Sequence, residues 1–284
     1  MPRATRRKQH TRRRTRTRRA SKMQEEKGGW YVGTSGQMVS RDKWLSIPGL
    51  NCLEVNSTFY SLLGKTTAAN LAAMPDRVSF VFKVSKYITH IKRLKGVNDA
   101  WKKFTESVAP LRNRTIAYLF QLPPSFARND ENVERIQKLA KLIGKSGPQV
   151  VVEFRHDSWL VEPTYSLFRQ LGWCVSGVLV QRPPDNPRSK RWMGTMPTGI
   201  YLPPRTSSMM YFRIHGKPGY RGYIIGGLLK DIAKQMEATK APQRVMMFNN
   251  VFFDTRSGKC TGVPAAGRYA AVCDAAMFAE LVNS

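Results

Sequence analysis

Residues 149–159 read QVVVEFRHDSW, and this stretch decides the fold. Val150, Val151 and Val152 form an unbroken apolar run with no helical period, as a strand buried on both faces of a parallel sheet does. Charge then crowds onto its end: Glu153, Arg155, His156 and Asp157 follow within five residues. Side chains alternate along a strand, so Glu153 and Arg155 point to one side. A charge in a buried sheet costs several kcal/mol unless it is paired, which predicts partners for both. One reading is an ion pair that locks the sheet. The other is a ligand site at the carboxyl end of a strand, where α/β folds place them.

Outward from this segment, apolar runs and helical patterns alternate. The expected strands are Trp30–Gly33, Cys52–Asn56, Val78–Lys83, Thr115–Gln121, Gln149–Phe154, Trp173–Val180, Met209–Ile214 and Arg244–Phe248. Helices are expected at 66–74, 98–111, 130–143, 163–171, 225–238 and 265–282. Residues 130–143 carry a stripe of Val133, Ile136, Leu139, Ala140 and Ile143. Residues 181–207 are rich in Pro, Arg and Ser and read as a long loop, with a possible short strand around Tyr201. Eight strands alternating with helices predict a closed (β/α)8 TIM barrel. An open doubly wound sheet is the alternative, and it finds no GxGxxG or P-loop to support it. The segment 1–27 should be a disordered basic arm, and 28–284 a single barrel domain.

Charge is the outlier. The chain of 284 residues carries a formal net charge of +28 and a pI near 10.5. Residues 1–22 hold 11 Lys and Arg and no acid. Of the 47 Lys and Arg, 36 lie beyond it against all 19 Asp and Glu, so an excess of 17 stays on the body. Arginine dominates the arm, and its planar fork suits phosphate. A transit peptide ranks lower because the arm has no apolar face. Cys52, Cys174, Cys260 and Cys273 show no CxxC, and reduced thiols of an intracellular protein are expected, with neither a disulfide nor a zinc site. No run is long enough to span a membrane, and no apolar segment follows the basic start as a signal peptide requires.

The polar residues fall at strand exits. Thr34 and Ser35 follow the first strand, Glu54 and Asn56 the second, Lys83 the third and Gln121 the fourth. Glu153, Arg155 and His156 follow the fifth, Arg213 and His215 the seventh, Asn249 and Asn250 the eighth. In a barrel these converge on the carboxyl-terminal mouth. The expected mouth network is Glu54, Asn56, His90, Gln121, Glu153, Arg155, Arg213, His215 and Asn249. If it is catalytic, Glu54 or Glu153 is the base, and Arg155, His156, Arg213 and His215 complete the set, on an anionic substrate. Glu54, Glu153, His156 and His215 could ligate a metal, but no HxH or HExxH spacing supports one, and neither metal nor cofactor is expected. Ser35 and Cys52 lack a nucleophile elbow. Trp44, Phe59, Tyr60, Tyr87, Trp101, Trp159 and Trp173 are by default mostly core. Tyr220 and Tyr223 differ, because they interleave with Lys217 and Arg221 in a Gly-rich loop that could stack and pair with nucleic acid.

The motifs GTSG (33–36), LEVNSTFY (53–60), YITHIKRL (87–94), LFQLPPSF (119–126), EFRHDSW (153–159), YFRIHG (211–216) and MFNN (247–250) resemble, in order, the YecE-like family, the domain of unknown function numbered seventy-two. The likeness runs from about Trp30 to Leu281. It implies a TIM barrel and little about activity, since none is established for the family. The shared polar residues it implies are Glu54, Asn56, Thr89, His90, Gln121, Glu153, Arg155, His156, Arg213, His215 and Asn249. The chain departs from the pattern after GTSG, where QMVSRDKWLSIPG replaces an aromatic stretch and an FYP turn. It departs again at Gln181, where the sixth strand commonly ends in Asp. The arm lies outside the family pattern.

The expected function is therefore sequence-independent binding of nucleic acid, DNA rather than RNA, in compaction or packaging in a nucleus, on chromatin or in a virus particle. The binding residues are Arg6, Arg7, Lys8, Arg12, Arg13, Arg14, Arg16, Arg18 and Arg19 of the arm, then Arg182, Arg188, Lys190, Arg191, Lys217, Tyr220, Arg221 and Tyr223. The alternative is a hydrolase-like enzyme acting on a phosphorylated or nucleic-acid substrate at the mouth.

Overall fold

The computed structural model describes residues 29–181, 194–217, 221–253, 260 and 262–284. The arm 1–27, the cations Arg182, Arg188, Lys190 and Arg191, and Tyr220 lie outside the described residues. Ten strands form one sheet: β1 (Gly29–Ser35), β2 (Cys52–Val55), β3 (Ser79–Lys83), β4 (Thr115–Gln121), β5 (Gln149–Glu153), β6 (Cys174–Val175), β7 (Gly177–Val180), β8 (Gly199–Tyr201), β9 (Met209–Ile214) and β10 (Gln243–Phe248). Their hydrogen-bonded order is β6-β5-β4-β3-β2-β1-β10-β9-β7-β8. Every pairing is parallel except that of β7 with β8. The helices are α1 (Arg41–Leu45), α2 (Lys65–Ala72), α3 (Asn98–Val108), α4 (Asp130–Ile143), α5 (Glu162–Leu171), α6 (Gly226–Ala238) and α7 (Ala270–Asn283).

The architecture is α/β and TIM-barrel-like, a curled, mostly parallel sheet with helices packed against its outer face. The closed eight-stranded barrel expected from sequence is met in strand order but not as one continuous ring. The sixth expected strand is cut at Ser176 into β6, which pairs with β5, and β7, which pairs with β9. Ser176 donates its N–H to Val152 O (2.9 Å) and its hydroxyl to Gly177 O (2.9 Å), a local bond that competes with the ladder. Gly177 is required beside it, because a Cβ there would meet the Phe212 ring at 2.5 Å. The short strand expected around Tyr201 is β8.

Strand alternation separates two cores. Phe80, Phe82, Phe120, Val150, Val152, Phe212 and Met246 face outward and pack with Trp101, Phe104, Trp159 and Phe168 beneath the helices. Tyr31, Cys52, Val81, Ala117, Leu119, Val151, Tyr211, Val245 and Met247 face inward as a second cluster. Two residues further along the same strands, the inward positions become Glu54, Lys83, Gln121, Glu153, Arg213 and Asn249. The period of two therefore delivers the polar set to the top of the interior.

Helix ends follow capping chemistry. Asn129 Oδ1 accepts the Asn132 N–H (2.8 Å) ahead of α4, and Gly172, left-handed at φ 67°, stops α5. The expected apolar stripe of α4 buries Ile136 and Leu139. Helix α1 has no counterpart in the sequence reading. It seats Trp44 fully buried, with its indole N–H on Thr34 Oγ1 (3.0 Å). Among the described residues, no helix is long and apolar enough to cross a membrane.

The expectation of four reduced thiols is overturned. Cys260 and Cys273 form a disulfide, with Cα atoms 5.7 Å apart. Only the fold brings Cys260 onto the first turn of α7, so linear spacing carried no sign of it. Cys52 and Cys174 are free and buried.

Candidate functional site

Arg213 sits at the centre of the interior. Its Nη1 donates to Glu153 Oε2 (2.7 Å) and its Nη2 to Glu54 Oε1 (2.6 Å), so one guanidinium joins β2 to β5 across the curl. Nη2 also reaches Ser35 Oγ (3.4 Å), and the Tyr211 hydroxyl donates to Glu54 Oε2 (2.6 Å). Arg155 Nη2 pairs with Glu153 Oε1. His215 Nε2 lies 3.3 Å from the same oxygen, and its Nδ1 is 3.1 Å from Asn249 Nδ2. Arg155 Nη2 also lies 3.3 Å from Nε2, so the imidazole edge is shared between Glu153 and Arg155. Glu54, Glu153, Arg213 and His215 are 0% exposed and Arg155 is 2%.

Two carboxylates face two guanidinium groups, so the network is internally neutral. Burial alone would raise the Glu153 carboxyl, but Arg155, Arg213 and His215 together outweigh it and hold it well below its usual range. Burial would lower Arg213, and Glu54 and Glu153 reverse that. Burial pushes His215 down to about 3, against the pull of Glu153. Burial, then Glu54, raises the Tyr211 hydroxyl, which stays a donor. Tyr211→Phe leaves Glu54 Oε2 without that bond and should destabilise the fold by about 1.5–3 kcal/mol in urea unfolding, the range for a hydrogen bond to a charged group. A loss near zero would show that this bond contributes nothing.

The structure thus brings together Glu54, Glu153, Arg155, Arg213 and His215, with Asn249 attached through His215. It does not bring in all the expected members. Asn56 opens a 3-10 turn (Asn56–Phe59), which rotates it off the alternation of β2, and its buried Oδ1 has no hydrogen-bond partner. His156 points away, accepting from Ser158 N–H at Nδ1 (3.2 Å). His90 bonds Thr89 Oγ1 (2.9 Å) on a π-turn, Tyr87–Ile91, and Gln121 stands half-buried at the end of β4. Tyr211 was missed, although it shares a face with Arg213 two residues on. Ser35 and Cys52 show no nucleophile arrangement: Ser35 accepts from Arg213, and burial raises the Cys52 thiol well above its usual range. Among the described residues, no three His, Cys, Asp or Glu are placed to hold a metal.

Above the network lies a solvent-facing layer of half-buried Lys83, His90, Gln121, Asn56 and Asn249. Lys83 Nζ lies 4.4 Å from the centroid of Phe59. The expectation that Tyr60 and Tyr87 belong to the core fails. They are 72% and 46% exposed, because the turns after β2 and β3 carry them onto the rim. Lys86 lies 5.8 Å from the Tyr60 ring and Lys92 5.8 Å from the Tyr87 ring. The concavity of about 640 Å³ lined by Gly29, Trp30, Asn51 and Arg77 opens at the other end of the strands.

The basic loop after β9 is moored from below. Lys217 and Arg221 pair through their backbones, exposing both side chains. Tyr223 stacks on Phe253 (5.9 Å) and donates to Met277 Sδ (2.6 Å), so its ring is fastened against α7. Fully buried Asp274 accepts from Ile224 N–H (3.2 Å) and Asn250 Nδ2 (2.5 Å), and Asn250 also donates to Gly222 O (2.7 Å). Burial raises Asp274 to about 8, partly offset by Asn250 and the Ile224 N–H. A carboxyl raised above its unfolded value contributes stability fully present below about pH 4, and lost as pH rises through about 8. The parent's thermal midpoint relative to that of Asp274→Asn should therefore fall over that interval. Equal slopes in the two proteins would contradict the assignment.

The protein-family description "Protein of unknown function DUF72" matches residues 40–268. Among curated proteins, none matches. A DUF72 family protein of Thermotoga maritima superposes with a TM-score of 0.69 at 24% identity, covering 90% of this chain and 100% of that one. One from Enterococcus faecalis gives 0.69 at 18% identity, covering 90% and 96%. At these identities the structural likeness speaks to fold alone, and the family match, spanning most of the length, carries the assignment: the chain belongs to the DUF72 family.

Proposed function

We propose that the chain binds nucleic acid through the phosphate backbone with little regard to sequence, DNA more readily than RNA. The observation that carries this reading is where the charge stands. The interior network cancels itself, two Glu against two Arg, so none of the +28 is consumed there. Among the described residues the excess stands on exposed cations such as Lys217 and Arg221, and on a rim where Lys86 and Lys92 stand over Tyr60 and Tyr87, and the sequence of residues 1–22 adds 11 Lys and Arg. A duplex, with one charge per ~1.7 Å, is the dense anionic partner such a surface fits. Cations and rings interleaved on a rim also suit stacking on exposed bases. The biological setting we propose is genome compaction or packaging, in a nucleus, on chromatin or in a virus particle.

The scaffold is read as a (β/α)8-type barrel interrupted between β6 and β7. What supports this is that Ser176 alone separates β6 from β7, so one stretch of chain carries the ladder from β5 to β9. An acid–base enzyme at the mouth is disfavoured by the same network: both oxygens of Glu54 and of Glu153 are engaged, and neither residue reaches solvent.

Fluorescence anisotropy of a labelled duplex and of its scrambled counterpart tests the reading. The two should bind alike. A preference of about 10³-fold or more for one would mark base readout and overturn it.

A further inference from the structure

Lys83 closes β3 on the inner face, two residues beyond Val81. The carboxylates nearest in the interior are already engaged. Glu54 is held by Arg213 and Tyr211, and Glu153 by Arg213 and Arg155. Among the described residues, Lys83 Nζ makes no ion pair; its contact is the face of Phe59 at 4.4 Å. The groups that act on it electrostatically are Arg213 from β9, Arg155 beyond β5, Glu54 of β2 and Glu153 of β5. Lys83 as a residue is half-buried, whereas the network below it is sealed. Desolvation, then Arg213, outweighs Glu54, Glu153 and the Phe59 face, which favour the ammonium, and drives it toward the neutral amine, which is how a lysine is activated as a nucleophile.

We propose that Lys83 is a nucleophilic amine at the mouth of the curled sheet, condensing reversibly with the carbonyl carbon of a small aldehyde or ketone. The nitrogen lone pair attacks that carbon, the carbonyl π pair moves to oxygen, and one proton passes from nitrogen to that oxygen through solvent. The resulting carbinolamine loses its hydroxyl as water and the nitrogen loses its remaining proton, leaving an imine. One carbonyl compound and one amine give one imine and one water, with no change of oxidation state. The ionisation agrees with this role: burial, then Arg213, pushes the Lys83 ammonium down to about 7, so a large share is neutral near pH 7. His90 on the rim is held neutral there, pushed down to about 4 by burial and then by Lys83. The site is independent of nucleic-acid binding, since the two can fail separately.

The test uses the full chain, glyceraldehyde as carbonyl probe and cyanoborohydride to reduce any imine to a stable amine. Labelling at pH 7 is followed residue by residue by mass spectrometry, with exposed Lys102 and Lys103 as internal references. Lys83 should label roughly tenfold faster than either, with a rate that rises through pH 7 and then levels. Labelling of Lys83 no faster than the references, or none, would overturn the proposal whatever the nucleic-acid result. Lys83→Met keeps the length of the side chain, removes the amine and should erase the fast phase alone.

Discussion

Glu153→Ala should unfold about 3–5 kcal/mol more easily than the parent chain. Truncation leaves Arg155 without its carboxylate and Arg213 with Glu54 alone, in a site that is almost fully shielded from water. The loss is dominated by buried charge left uncompensated, not by the small cavity. Urea unfolding checks it, provided the denaturant slope is unchanged, which shows that the two-state reference has not moved. The sign with pH also follows. A carboxyl held below its unfolded value contributes stability present above about pH 4 and lost as pH falls through the folded value. The acid limb of the parent's stability curve should therefore be steeper than that of Glu153→Ala. A variant within about 1 kcal/mol of the parent would mean that the network holds nothing together.

The second large effect is on binding. If roughly 6–10 of the arm and loop cations meet phosphate at once, affinity for a duplex should fall about 10³–10⁵-fold between 50 and 200 mM salt. Each contact releases condensed counter-ions, and the release becomes less favourable as bulk salt rises. A titration of affinity against salt gives the number of contacts directly. A flat response would exclude a phosphate-dominated interface.

How much of this was legible in the sequence depends on periodicity. Where the period of two held, as at Val151–Glu153, Tyr211–Arg213 and Val81–Lys83, inward residues at the strand exits could be read off the chain. The same rule carried Arg155 and His215 into the network. Reading failed where geometry left that period. Asn56 was expected beside Glu54 but turns away on a 3-10 turn, and Tyr60 and Tyr87 were assigned to the core but ride turns onto the rim. Tyr211 was given no role, although its spacing from Arg213 puts the two on one face of the strand. The Cys260–Cys273 bond and the buried Asp274 depend on the return of the chain after β10 against α7, a contact that no local pattern encodes. Ser176 broke the sixth strand because its hydroxyl bonds its own neighbourhood, which an apolar run on either side conceals.

The central claim is that arm and body together bind nucleic acid through phosphate. It is tested most directly by measuring, at about 50 mM salt, the affinity of one labelled duplex for the full chain and for a chain lacking residues 1–22. The account predicts that both bind. The shortened chain should bind more weakly and with a shallower salt slope, because the body keeps an excess of 17 positive charges. A full chain that leaves the duplex free at this salt would contradict the account.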